Sequence, residues 1–184
     1  MLSLYLSLIE TAEDEDKVIY LYNNYYSYMK YSAMQVMNVN ISNVEDVVHD
    51  AMISLIDHLN IIDFKDEIKL KNLCKVVARN KAIDYCRKAR TGAVPMEEIY
   101  IDPQEYTSDP ETIVVNENTY RIIIEAIKNL DDKYKDVCLL KYVNELKERE
   151  ISKILDIPLK TVNSRIYRGK QILREALRKE SCHV

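Results

Sequence analysis

Lys160, Thr161, Asn163, Ser164, Arg165, Tyr167, Arg168 and Lys170 bring ammoniums, guanidiniums, hydroxyls and an amide into one short stretch. Such groups hydrogen-bond phosphate oxygens and base edges, and arginine and asparagine do so bidentately. A second concentration holds Lys69, Lys71, Lys75, Arg79, Lys81, Arg87, Lys88 and Arg90 with a single acid, Asp84, among them. A third group, Asp46, His49 and Asp50, is mainly acidic. Glu45 and His49 lie one helical turn apart, as do Asp46 and Asp50, yet no second histidine repeats the spacing, so no metal is expected there. Cys74, Cys86 and Cys138 sit within helical apolar patterns and read as reduced core thiols, while Cys182 and His183 are too few for a metal cage. There is no G-x-x-x-x-G-K, H-E-x-x-H or C-x-x-C, so neither catalytic residues nor a cofactor are expected. The chemistry these side chains suit is recognition.

Two helices must position the first group. Ile151, Ile154 and Leu155 recur at i, i+3 and i+4, which gives residues 145–155 one apolar face. Asp156-Ile157-Pro158 stops that helix, and the fixed φ of Pro158 suits the first turn of another. In the second helix Val162, Ile166, Gly169, Leu173, Ala176 and Leu177 form an inner stripe, with the polar groups above, Gln171 and Arg174 opposite. A glycine inside a helix is about 1 kcal/mol less favourable than alanine, so Gly169 points to another backbone packed close. Two helices joined by a short turn, the second presenting amides, hydroxyls and guanidiniums, suit a DNA major groove. A helical hairpin with a solvated basic face is the alternative.

The chain of 184 residues is 30% charged and 47% hydrophobic, enough for one large or two small cores. Only two glycines and four prolines occur, which disfavours strands joined by tight turns and favours an all-α protein. No apolar run is long enough to span a membrane. Residues 1–9 are apolar but lack a basic flank and lead into Glu10, Glu13, Asp14, Glu15 and Asp16, so they are no secretory signal and a cytoplasmic protein is expected. The net charge of −4 argues at first against a nucleic-acid partner. Its distribution reverses that: residues 1–90 carry −2, 91–120 carry −7 and 121–184 carry +5. Local field, more than net charge, governs phosphate attraction.

Taken in order, residues 14–37 read as one helix with Val18, Leu21, Tyr22, Tyr25, Met29, Ala33, Val36 and Met37 inward. Its many tyrosines suit core packing better than base stacking. Ser42-x-x-Glu45 has the form of a capping box, starting a helix whose stripe is Val47, Val48, Ala51, Met52, Leu55, Ile56 and Leu59. Residues 60–69, with the single phenylalanine Phe64, read as a break. Periodicity resumes over 70–90 through Leu73, Val76, Val77, Asn80, Ile83 and Asp84, with Ala78, Lys81, Tyr85 and Lys88 on another face. Gly92, Pro95, Pro103 and Pro110 with no lysine or arginine mark an acidic linker. Helix resumes near 117–130, and Asp131 and Asp132 then cap a further helix running to Val143.

These features together resemble the sigma-70 superfamily, specifically the two-domain extracytoplasmic-function sigma factors of bacterial RNA polymerase. Val44-Glu45-Asp46-Val47-Val48-His49-Asp50-Ala51-Met52 is similar to the family's acidic helix, with His49 where glutamine is more usual and Met52 where an aromatic is. Residues 73–90, with Ala78-Arg79-Asn80, Ile83-Asp84 and the basic run from Arg87, are similar to the helix that follows it, but without the tryptophan common there. Glu150-Ile151-Ser152, then Thr161-Val162-Asn163-Ser164-Arg165-Ile166-Tyr167-Arg168-Gly169 and Leu173-Arg174, are similar to its helix-turn-helix.

The resemblance implies two small helical domains, 1–90 and 119–184, joined by the acidic linker 91–118. It implies that Lys160, Thr161, Asn163, Ser164, Arg165, Tyr167, Arg168 and Lys170 meet the −35 duplex, and that Phe64, Arg79, Asn80, Lys81, Asp84, Arg87 and Lys88 hold the opened −10 strand. Asp46, His49 and Asp50 would grip core polymerase. The linker would thread toward the RNA exit path, and an anti-sigma factor is a further partner. A stand-alone helix-turn-helix regulator is the competing reading; it would need a dimerisation stripe, and none is evident.

Overall fold

A computed structural model describes residues 2–37, 41–91 and 117–181, and among them all regular structure is helical. The expected linker falls almost wholly outside the described residues, as does Cys182. The N-terminal set is α1 (Leu2–Leu6), α2 (Ala12–Met37), α3 (Ile41–Ile56), a 3-10 turn (Leu59–Ile61) and α4 (Glu67–Thr91). The C-terminal set is α5 (Glu117–Lys128), α6 (Asp132–Tyr142), α7 (Glu148–Leu155) and α8 (Leu159–Ser181).

Side-chain caps move several boundaries from where hydrophobic periodicity puts them. Helix α2 starts at Ala12 because Thr11 caps it: the Asp14 N–H donates to Thr11 Oγ1 at 3.2 Å and the Thr11 hydroxyl donates to Asp14 Oδ2 at 2.9 Å. Helix α4 starts at Glu67, inside the expected break, because Asp66 Oδ1 accepts the N–H groups of Ile68 and Lys69 at 3.0 Å each. Helix α3 opens ahead of the expected Ser42–Glu45 box, and Glu45 instead pairs with Lys30 of α2 at 2.7 Å. Asp131 stands at the N-cap of α6 but makes no side-chain cap bond. Its carbonyl takes the N–H groups of Tyr134 and Lys135, both at 2.9 Å. Helix α7 is shorter than expected: Glu145 has φ 59°, and the helix begins after Lys147, whose N–H donates to Glu150 Oε2 at 2.7 Å.

The N-terminal core joins Val18, Leu21, Tyr25 and Met29 of α2, Val48, Met52 and Leu55 of α3, and Leu70, Leu73 and Val77 of α4. Each large apolar side chain so buried contributes about 1.5–3 kcal/mol. Helix α1 adds Tyr5, fully buried, in an aromatic chain with Tyr22 at 6.0 Å and Tyr22 with Tyr26 at 4.8 Å between ring centres. Helix α4 packs on α2 and α3 and also on α6 and α7. Being covered twice, its middle buries Ala78, expected on another face, with Val76, Val77 and Ala82, whereas Ile83, expected inside, is exposed where the helix emerges. Burial pushes the Cys74 and Cys138 thiols up to about 12, so both stay protonated and unreactive.

Gly169 of α8 is required by a side chain, not by the backbone its position suggested. A Cβ there would run into Cys138 Sγ of α6. Gly169→Ala should therefore destabilise the protein by about 1–3 kcal/mol through overpacking, despite the better helix propensity of alanine. In a Cys138→Ala background the same change should be neutral or stabilising. Denaturant unfolding of the four-member cycle checks this, and strictly additive effects would contradict the contact.

Between α4 and α6 lies Asp136, whose carboxyl burial pushes up to about 6 while Arg79, 3.9 Å away, works against the rise. The folded chain thus holds a proton that the unfolded chain has released, so between 3.8 and about 6 this group's contribution to stability falls as pH rises. Above that window the full cost of the buried carboxylate is present. Asp136→Asn should raise the unfolding free energy at about pH 7.5 by about 1–2 kcal/mol and flatten this part of the pH profile. Thermal melts across that window measure it; a lower Tm for the variant at about pH 7.5 would contradict the assignment.

Candidate nucleic-acid interface

The turn between α7 and α8 sets the angle at which α8 is presented. Asp156 takes a left-handed conformation with φ 54°. Its N–H bonds the Lys153 carbonyl at 3.2 Å, and the Ile157 N–H bonds the Ser152 carbonyl at 3.1 Å. This Schellman pattern satisfies carbonyls that the end of α7 leaves open. The Ser152 hydroxyl donates to Ile157 O at 2.7 Å and pins the same corner. Pro158 then stands one residue ahead of α8, its carbonyl accepting from Thr161 and Val162 at 2.9 and 3.1 Å. Val162, Gly169 and Leu173 face inward, as their spacing predicts.

Along the opposite side of α8, Lys160 and Tyr167 are exposed, and Thr161, Asn163, Ser164, Arg165, Arg168 and Lys170 are half-buried. All eight residues expected at the −35 duplex therefore lie on one helix directly after the turn. Arg168 is steadied from α6, where its guanidinium and then Lys133 hold the Tyr134 hydroxyl below the usual range. The Lys133 ammonium also lies 4.9 Å over the Tyr134 ring. Helix α6 thus anchors a side chain that α8 presents.

The residues expected at the −10 strand are not brought together as one site. Phe64 precedes α4 and packs half-buried on the core. Arg79, Asn80 and Lys81 are turned to the C-terminal helices. Arg79 forms a close salt bridge with Asp132, Asn80 Nδ2 donates to Leu155 O at 2.9 Å, and Lys81 Nζ lies 4.0 Å from Asp156. Farther along α4, Asp84 pairs with Arg87 at 2.5 Å and with Lys88 at 2.8 Å. Burial alone would raise the Asp84 carboxyl, but Lys88 and Arg87 hold it below its ordinary range. From Glu67 to Asp84 α4 extends for about 26 Å at 1.5 Å per residue.

Of the acidic group on α3, Asp46 and Asp50 are exposed while His49 is half-buried, its Nδ1 3.0 Å from the Tyr5 hydroxyl. Sequence reasoning treated residues 1–9 only as a possible leader and so missed that α1 covers this histidine. It also missed Ser54, a small polar residue within an apolar stripe, whose hydroxyl donates to Ile154 O at 2.8 Å. Asn144 Nδ2, in the loop before α7, likewise donates to Lys69 O at 2.7 Å.

Comparison with known proteins matches residues 21–91 to the Sigma-70 region 2 family and residues 120–173 to the Sigma-70, region 4 family. The ECF RNA polymerase sigma factor SigW of Bacillus subtilis is 33% identical over 153 residues, 76% of this chain and 78% of the relative. The ECF RNA polymerase sigma-E factor of Haemophilus influenzae is 25% identical over 93% of this chain and 94% of its own length. Among solved structures, the sigma factor RpoE in complex with the anti-sigma factor NepR from Bartonella quintana aligns with 16% identity and a TM-score of 0.37, covering 91% of this chain and 98% of that one. No described helix is long and apolar enough to cross a membrane. Both matched regions and the relatives that span them agree with the two helical sets and the basic helix-turn-helix: the chain belongs to the extracytoplasmic-function sigma factors of the sigma-70 family, and it binds core RNA polymerase and directs it to promoters.

Proposed function

We propose that α8 reads the −35 duplex and that α4 holds the opened −10 strand, in a protein organised as helical domains 1–90 and 119–184 joined by the linker 91–118. The observation that carries this reading is the α7–α8 pair, in which a three-residue corner presents Thr161, Asn163, Ser164, Arg165 and Arg168 from one basic helix. Side chains of these types at the start of a recognition helix meet base edges in a major groove, while lysines at its margin meet phosphates. Lys160 and Lys170 are the phosphate anchors. On α4, Arg87 and Lys88 supply charge to a single strand, and Arg79, Asn80 and Lys81 supply amide and guanidinium donors. The exposed Asp46 and Asp50 form the surface that docks on the polymerase, where carboxylates meet basic side chains. The function is one of binding, with no reaction assigned, and its place is the cytoplasm, with the polymerase and DNA. An anti-sigma factor is a third partner class.

Run-off transcription with purified core polymerase tests the assignment. Arg165→Ala should lower transcription from a cognate promoter and flatten base preference at one −35 position, a loss of about 1–3 kcal/mol of discrimination. Lys170→Ala should weaken all sequences alike and reduce the salt dependence of binding by about one phosphate contact. Identical preference profiles for the two variants would remove the division between reading and anchoring.

Docking has its own test. Asp46→Lys combined with Asp50→Lys should leave the unfolding midpoint within a degree or two, because both side chains are exposed and surface changes usually move stability by less than about 0.5 kcal/mol. Co-purification with core polymerase should be lost. Undiminished recovery of the complex would place the docking surface elsewhere.

A further inference from the structure

We propose that α1 belongs to the polymerase-docking surface: the Tyr5 hydroxyl fixes His49 so that its Nε2–H is a donor beside Asp46 and Asp50, and the surface takes a partner segment that offers a hydrogen-bond acceptor flanked by basic side chains. This rests on the assignment of Asp46, His49 and Asp50 to polymerase docking made above.

Tyr5 is fully buried, and its ring centre lies 5.2 Å from that of His49, with 31° between the planes. The hydroxyl stands 3.0 Å from His49 Nδ1, its one hydrogen-bond partner among the described residues. Burial, and then the neighbouring Tyr26 and Tyr22, push the phenol above its ordinary range, so it keeps its proton. A buried O–H needs an acceptor, and here only Nδ1 can be one. With Nδ1 accepting, the hydrogen of the neutral ring is on Nε2. The opposite tautomer would have Nδ1–H donate to the phenol oxygen and leave the phenol proton without an acceptor. In an imidazolium Nε2 carries a hydrogen as well, so it is a donor in either charge state of the ring.

Nε2 has no partner among the described residues and is not a buried atom, so it opens to solvent. Residues 46, 49 and 50 share one face of α3, three and four positions apart, and both aspartates on it are exposed. One turn earlier the Glu45–Lys30 pair ties α3 to α2 at 2.7 Å, and α1 packs on α2 as well, so phenol and imidazole are carried by helices with a common support. Asp46 and Asp50 accept hydrogen bonds where His49 donates one. A partner with basic side chains alone satisfies the carboxylates and leaves Nε2–H unmatched. A carbonyl or amide oxygen among those side chains completes the set and fixes the register of docking.

The test uses the full chain and purified core polymerase. Long-range proton–nitrogen correlation spectra at about pH 8.5, well above the ordinary imidazole range, should show the His49 hydrogen on Nε2. Tyr5→Phe keeps the ring and loses only the hydroxyl, and it should bring in the Nδ1–H form. Titration against labelled core polymerase should show Tyr5→Phe binding about fivefold more weakly than wild type, as removal of one ordering hydrogen bond requires. His49→Leu should lose at least as much, whereas His49→Gln, whose amide keeps a donor, should stay within about twofold of wild type. In a His49→Leu background Tyr5→Phe should change nothing, because the hydroxyl then has no ring to hold. The wild-type tautomer is measured independently of how any variant folds.

A wild-type ring with its hydrogen on Nδ1 overturns the proposal, as does His49→Leu binding as tightly as His49→Gln. Equal weakening by Tyr5→Phe with and without His49 overturns the positioning role and leaves α1 acting through packing alone. The combined Asp46→Lys and Asp50→Lys protein separates this from the reading it rests on. Full affinity there removes the docking surface and the proposal with it. Lost affinity there, with no effect of His49→Leu or Tyr5→Phe, removes the proposal alone.

Discussion

Helix α4 is the element on which both sets of helices pack, α2 and α3 on one side and α6 and α7 on the other. The two sides are built from different materials. Toward α2 and α3 the contact is apolar, with Leu70, Leu73, Cys74 and Val77 buried to within a few per cent. Toward α6 and α7 the hydrogen bonds and ion pairs come from Lys69, Arg79, Asn80 and Lys81. Ala78 and Ala82 between the two faces are small enough to let both neighbours approach.

The helix-turn-helix depends on a second constraint, the close approach of α6 and α8. With Cys138 Sγ where a Cβ of residue 169 would fall, only glycine lets the two helices lie at their observed separation. The left-handed Asp156 and the Ser152–Ile157 bond then fix how α7 meets α8. Because Tyr134 of α6 also steadies Arg168, the helix that carries the basic face and the helix that supports it are a single packed piece. The orientation of the basic face is therefore a property of this core and not of the loop alone.

Much of this was legible in the sequence. The stripe Val162, Ile166, Gly169 and Leu173 and the stop at Asp156-Ile157-Pro158 locate the helix-turn-helix, since a 3.6-residue period and a proline are local signals. The starts of α2 and α4 were misplaced because Thr11 and Asp66 cap from outside the apolar pattern. Glu145 was read as helical because nothing in its neighbours announces a positive φ. The partner of Gly169 was misjudged, since a missing Cβ signals closeness without saying what is close. Least legible of all were the pairings of Arg79 with Asp132 and of Ser54 with Ile154. These link residues far apart in sequence, and periodicity carries no record of such contacts. A face rich in lysine and arginine looks the same whether it meets solvent, DNA or an acid from elsewhere in the chain.

The relative strengths of the two sides of α4 decide what would move if the joint opened. Each apolar side chain facing α2 and α3 is worth about 1.5–3 kcal/mol, whereas a hydrogen bond such as Asn80 to Leu155 O nets about 0.5–1.5 kcal/mol and a partly exposed ion pair about 0–1 kcal/mol. The weaker side yields first. Helix α4 then stays with α2 and α3, and α6, α7 and α8 leave together, because the contact of Gly169 with Cys138 and the Schellman corner lie within that group. Separation by this route leaves Val162 and Leu173 buried under α8, so its basic face keeps its shape. It also returns Arg79, Asn80 and Lys81 to solvent as one contiguous run of donors. An opening of this kind therefore exposes the α4 donors without disturbing the packing of α8.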